Sequence, residues 1–195
     1  VSRYLHQLGF EVQTGIGGTG VIGILRGNSD GPTIALRACL DALAMDEKSG
    51  VDYASQNKGV FHGCGHDGNM TFVLGAAKIV SQQRHALRGN IKFIFQPSEE
   101  ETGGAAEIIR AGGLRNPDVD AIFHLHNWHG IRQGVIAVVP GTVLASSDLF
   151  KIEIIGKPGH GAWPHLAVDP ILIASDIISG IQTIISREID PLTPT

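Results

Sequence analysis

The sequence predicts an α/β protein, with a layered domain over residues 1–147 and the opening of a second domain over 148–195. Three observations carry that expectation. Short apolar runs alternate with helical patterns as far as residue 147, which is how a layered α/β domain reads. Most of these runs are apolar at consecutive positions, the mark of strands covered on both faces. From Leu149 the texture changes to an alternating strand, a loop rich in Gly, Pro and His, and one long helix.

The expected strands are VIGIL (21–25), TIALRA (33–38), IKFIF (91–95), AIFHL (121–125) and VIAVV (135–139). A helix is expected from Met70 to Val80, where Phe72, Ala76 and Ile79 recur at i, i+4 and i+7. Another should run from Ala105 to Ala111, closed by Gly112-Gly113. Beyond Leu149, FKIEIIG alternates as a half-exposed strand. A helix from about Asp169 to Glu188 places Ile171, Ala174, Ile178, Ile181 and Ile185 on one stripe. One strand and one helix cannot bury both their apolar faces alone, so this second domain is expected to continue beyond the sequence.

At 195 residues and 43% hydrophobic content, the chain can bury one core with residues left for part of another. The net charge is −4 and the 15 Lys and Arg are scattered, so neither nucleic acid nor an anionic membrane is an expected partner. The start, VSRYLHQLGFEV, lacks the basic and long apolar regions of a secretion signal. The late stretch PILIASDIISGIQTII is interrupted by Asp176 and Gln182 and does not read as a membrane span. Two cysteines, Cys39 and Cys64, make no disulfide framework, which favours the cytoplasm and a thiol or metal role. The first residue is Val, so the native chain is expected to begin earlier. The 26 glycines exceed the ordinary level of roughly 7%, as tight loops around a site require.

Gly15-x-Gly17-x-x-Gly20 matches a dinucleotide fingerprint as a string, but that fingerprint needs a helix after the last glycine. Here a strand pattern follows, so a strand-connecting turn is the better reading. The run His62-Gly-Cys64-Gly-His66-Asp67 sets a thiol and an imidazole two residues apart ahead of a helix. Both suit a zinc-like ion, and Asp67 could orient an imidazole. A structural zinc site or a Cys-His nucleophile pair explains the same run. IKFIF ends in Gln96-Pro97-Ser98-Glu99-Glu100-Glu101, which in isolation reads as a solvated acidic loop. Its position at the carboxyl end of a strand, where open α/β sheets gather ligands, points to function. AIFHLHNWH brings His124, His126 and His129, and TIALRACLDAL ends in Cys39 and Asp41. Four segments thus carry Cys, His, Glu and Asp toward one edge. The loop 156–165 sets His160 among glycines, which permits close backbone approach to a ligand or a plain surface loop.

These stretches resemble the M20 metallopeptidase family, in particular its amidohydrolase branch of hippurate hydrolases, N-acyl-amino-acid hydrolases and auxin-conjugate hydrolases. The resemblance rests on IGGTGVIGILRG, ALRACLDAL, GVFHGCGHDGNM, GAAKIV, IKFIFQPSEE, AIFHLHNW and IIGKPGHGAWPHLAVDPI through IISR. It implies a zinc-exopeptidase-like catalytic domain, a mixed sheet flanked by helices, over 1–147, and the start of a ferredoxin-like lid and dimerisation domain over 148–195. It implies two divalent metal ions (zinc, manganese, cobalt or nickel) held by Cys64, His66, Glu100 and His126. Glu99 would be the general base, and His160 would bind the substrate and polarise its carbonyl. The implied activity is hydrolysis of the amide bond of a small N-acyl amino acid by a homodimer paired through the lid.

Several positions depart from the branch. It usually has Asp where Cys39 stands and Pro at Ala44; Gly is commoner at His124, Pro at His129 and His at Asn69. The family's last metal-binding His comes from a segment after the lid, whereas this sequence ends at Thr195. The alternative expectation is therefore a truncated or degenerate, non-catalytic metal-binding or dimerising homologue.

Overall fold

The computed structural model describes residues 1–100, 103–144 and 148–190. Glu101, the third carboxylate of the acidic run, Ser147 at the expected domain boundary and Thr195 lie outside the described residues. The chain divides into two compact units, Val1–Gly130 and Ile131–Thr195.

The first unit is built on a five-stranded mixed sheet of order β1-β2-β4-β3-β5. After a short helix α1 (Ser2–Gln7), β1 (Glu11–Ile16) and β2 (Gly20–Arg26) form an antiparallel hairpin. Gly15, Gly17 and Gly20 belong to this hairpin and a strand follows them, as the turn reading expects. β2 pairs antiparallel with β4 (Arg88–Gln96), and β3 (Ser29–Cys39) runs parallel to both β4 and β5 (Ala121–His124).

Helix α2 (His66–Gln82) lies between β3 and β4 in the chain, and α3 (Gly104–Arg110) between β4 and β5. The sheet steps outward from β3 to β4 and then back across β3 to β5. Right-handed crossovers place the two connecting helices on opposite faces when the direction reverses, and the packing agrees. Phe93 and Phe95 of β4 share a core with Leu5 of α1 and with Val73 and Ala77 of α2. Ile94, one residue out of phase, packs with Ile22, Ile24, Ala35 and Ile108 of α3. Each buried Leu, Ile, Val or Phe among them contributes about 1.5–3 kcal/mol relative to exposure. The reversal leaves a crevice at the carboxyl ends of β3 and β4, the place where open α/β sheets bind ligands. Cys39 and Gln96 are register partners at that edge.

Lys92 shares the α3 face of β4 with Ile94 and is 1% exposed. Its Nζ donates to the carbonyls of Gly113 (3.2 Å), Arg115 (2.8 Å) and Pro117 (2.9 Å). The central strand thereby holds the loop after α3. Burial pushes the Lys92 ammonium below its ordinary pKa.

In the second unit, Asp169 caps α4 (Pro170–Thr183) by accepting from the Ile171 N–H at 2.9 Å. A π-type turn, Ile184–Glu188, continues the helix, so the apolar period sensed both segments. The strands expected at 135–139 and 150–156 are absent among the described residues, where only a Lys157–Val168 bridge forms. A strand exists through its neighbour's hydrogen bonds, and among the described residues these segments pair with no other strand. Their apolar residues, such as Val138 and Ile155, are exposed, as are Ile171 and Ile178 of α4 and Ile185 in the π-type turn after it. No helix among the described residues is long and apolar enough to cross a membrane.

Candidate metal centre

Three strand ends and one loop deliver the site of the first unit. β3 supplies Cys39 and, two residues on, Asp41. The loop that follows closes at a Leu43–Phe61 bridge before the run bearing His62, Cys64 and His66. Gly65 precedes α2 with φ +79°, and a Cβ there would collide with the Asn127 side chain. α2 begins on His66 itself, so backbone geometry fixes this ligand candidate more rigidly than a loop would. β4 ends before Pro97, Ser98 turns with φ +53°, and Glu99 and Glu100 follow. Past the end of β5 stands His126.

Three groups of metal-ligating side chains have all their donor atoms within 4.8 Å of one another: Cys64-His66-His126, His66-Glu99-Glu100 and Cys39-Asp41-His66. His66, 1% exposed, belongs to all three. The structure thus brings Cys64, His66, Glu99, Glu100 and His126 together. His160 lies in the second unit, where its Nδ1 accepts from the Ala162 N–H at 3.1 Å and its ring tilts against Trp163. His129 stacks on Trp128 and joins none of the donor groups. His124 points Nδ1 at the Arg37 carbonyl, 3.0 Å away, and its pKa is lowered, mainly by burial.

Hydrogen bonds fix which imidazole nitrogens are available. A carbonyl can only accept, so His66 Nδ1 donates to the Asp41 carbonyl at 2.9 Å and His126 Nδ1 donates to the Asn127 carbonyl at 2.7 Å. In each neutral imidazole Nε2 is then the atom that carries the lone pair. The orienting role that Asp67 could have taken at His66 falls to Asp41. The Asp67 carboxylate accepts from the Gly68 N–H at 2.8 Å, while Asp41 holds His66. A helix start at His66 turns the next side chain away from the imidazole, whereas the end of β3 passes beside it.

Donor atoms 2.0–2.3 Å from one ion at a tetrahedral angle lie about 3.3–3.8 Å apart. Cys64 Sγ is 3.7 Å from His126 Nε2, and His66 Nε2 is 3.6 Å from Glu99 Oε2 and 3.7 Å from Glu100 Oε1. The His66 Nε2 atom is buried with no hydrogen-bond partner, as is Asp41 Oδ1. Buried polar atoms are nearly always satisfied. An unpaired nitrogen facing two carboxylates, at spacings too long for hydrogen bonds, is what a cation site leaves when only its ligands are counted.

The thiols show the same electrostatics. The Cys64 pKa is pushed up to about 12, first by burial and then by the approach and charge of Glu100 and the charge of Glu99. Burial, with Glu99, Asp41 and Glu100 behind it, raises Cys39 to about 11 against the opposing Arg37. The two glutamates are not equivalent. Glu100 is the less exposed side chain, 24% against 40%, and its N–H donates to Asp41 Oδ2 at 2.9 Å. Glu99 has the freer carboxylate.

Residues 35–191 match the family model described as peptidase family M20/M25/M40. The chain belongs to that family. As an M20 chain it is 42% identical, over 98% of its length, to the N-acetyl-L-cysteine deacetylase of Bacillus subtilis, of which it covers 46%. It is equally 42% identical, over 98% of its length, to the hippurate hydrolase of Campylobacter jejuni, covering 49% of that protein. The crystal structure of Bacillus subtilis YXEP, a dinuclear metal binding peptidase of the M20 family, matches at 40% identity and a TM-score of 0.60. That match covers 65% of this chain and 35% of the other. The chain spans about half the length of the curated relatives it matches. The fold is the M20 fold expected from the sequence motifs, a mixed α/β sheet with helices on both faces.

Proposed function

We propose that this M20 chain carries the metal-holding part of an amidohydrolase that cleaves small N-acyl amino acids into a carboxylic acid and an amino acid. One observation supports it above the others: buried, unpartnered His66 Nε2 faces Glu99 and Glu100. The relatives that act on N-acetyl-L-cysteine and on hippurate share an N-acyl amino acid as substrate class.

Cys64, His66, Glu100 and His126 would hold two divalent ions. A thiolate with two imidazoles and a carboxylate suits zinc, cobalt or nickel better than magnesium or calcium, and the carboxylate also admits manganese. Such a pair supplies a water of lowered pKa and positive charge for the carbonyl oxygen. The chain's own residues do the rest. Glu99 takes a proton from the attacking water and delivers it to the departing nitrogen. Glu100, tethered through its N–H to Asp41, stays fixed as a ligand. His160 accepts at Nδ1, so its Nε2 bears the proton and donates to the substrate carbonyl. A Cys64 thiol of pKa about 12 is a poor nucleophile near neutral pH, which disfavours a thiol hydrolase.

Residues 1–147 are then the front of the catalytic domain and 148–195 the opening of the lid, whose exposed α4 stripe supports pairing into a homodimer. Two free thiols accord with the cytoplasm. The test is metal analysis together with hydrolysis of N-acetylcysteine and hippurate, before and after chelation. Two ions and chelator-sensitive turnover are expected. Hydrolysis that survives chelation overturns the reading, and a single ion with no turnover gives the chain to the non-catalytic alternative.

A further inference from the structure

Asn69 sits in the first turn of α2, three residues after His66, and is 0% exposed. Its Oδ1 accepts from the Asn127 N–H at 3.2 Å, and its Nδ2 is buried with no partner. The Asn127 carbonyl in turn accepts from His126 Nδ1 at 2.7 Å. Asn127 therefore has its N–H held by α2 and its C=O holding the His126 ring. The fit is tight from the other side too, because any side chain at Gly65 would strike the Asn127 amide.

We propose that Asn69 is a positioning residue for the metal centre: through Asn127 it sets His126 Nε2 against Cys64 Sγ. The inference rests on the metal-centre reading above. Packing alone does not account for an amide here. A leucine of similar size would fill the same space without leaving Nδ2 unsatisfied, an arrangement that costs stability. What the amide alone supplies is the acceptor for Asn127, and so a fixed distance between the helix bearing His66 and the segment bearing His126. Partners behind metal ligands typically govern affinity by about 10–100-fold.

The test compares wild type, Asn69→Leu and Asn69→Asp in cobalt(II) titrations against a competing chelator, with hydrogen exchange at the Asn127 amide and melting temperature measured on the metal-free proteins. Asn69→Leu is expected to bind cobalt roughly 10–100-fold more weakly, to lose protection at the Asn127 amide and to melt no lower than wild type. Asn69→Asp keeps the acceptor, and should keep both amide protection and near-wild-type or tighter binding. If Asn69→Leu fails to fold, Asn69→Ser, too short to reach Asn127, takes its place. Wild-type affinity in the leucine or serine variant, or equal weakening in the aspartate variant, overturns the role of Asn69 while leaving the metal centre standing. A wild-type protein that takes up no cobalt removes the metal centre itself and the role with it.

Discussion

Cys64 Sγ lies 3.7 Å from His126 Nε2, although 62 positions separate the two residues. One comes from the loop ahead of α2 and the other from beyond β5, so only the folded sheet edge can bring them together. Because His126 Nδ1 is engaged by the Asn127 carbonyl, the nitrogen facing the thiol is the one that carries the lone pair in the neutral ring. Cys64→Ser and His126→Ala are each expected to lower bound metal by at least one ion per chain, as read by elemental analysis after desalting. The double variant should lose little more than either single one, since ligands of one ion act as a unit. Full metal content in either single variant takes that residue out of the ligand set.

Glu99 and Glu100 are nearly equidistant from His66 Nε2, so distance alone does not assign their roles. Their surroundings do, because Glu100 is tethered to Asp41 and Glu99 is the more exposed. Glu99→Gln is expected to keep its metal and lose turnover by about 10²–10⁴-fold, the usual contribution of a positioned base. Glu100→Gln should lose metal as well. Metal loss in Glu99→Gln with retention in Glu100→Gln would exchange the two assignments.

β2, β3 and β4 were legible because their apolar runs fill both sheet faces, and the site edge was legible because polar residues cluster where those runs stop. The true start of α2 was not. Its apolar period begins only at Met70, while the first turn carries the polar residues His66, Asp67 and Asn69, and the burial of His66 and Asn69 depends on β3 and Asn127. α1 and β1 are short and too mixed in polarity to show a period. The segments 135–139 and 150–156 alternate or cluster as strands do, yet pairing is a property of two segments and sequence reads one at a time. The same limit explains Asp41 and Asp67. Adjacency in sequence made Asp67 a possible partner for an imidazole, but at His66 the turn from loop to helix gave that place to Asp41.

His160 stands in the second unit with Nδ1 occupied by the Ala162 N–H, which leaves a proton on Nε2 for a carbonyl oxygen. His160→Ala is expected to reduce kcat by about 10²–10³-fold, the cost of losing one oxyanion donor, with metal content unchanged. Steady-state kinetics beside elemental analysis decides the point. Unaltered turnover would make His160 a loop residue.

Lys92 is far from this chemistry and tests the scaffold. Its ammonium is 1% exposed and serves three carbonyls of the loop after α3, so Lys92→Met is expected to destabilise the fold by about 2–4 kcal/mol in denaturant unfolding. The pH dependence has a definite sign. Burial lowers the folded-state pKa below the ordinary 10.5, so between the two values the unfolded chain binds more protons than the folded one. Stability contributed by Lys92 therefore rises with pH through that window and is lost as pH falls through the folded-state value. The neutral amine still donates two hydrogens to the carbonyls, so the gap between wild type and Lys92→Met should widen as pH climbs toward 10.5. A gap that narrows over the same range would mean that the charge itself, rather than the hydrogen bonds, holds the loop after α3.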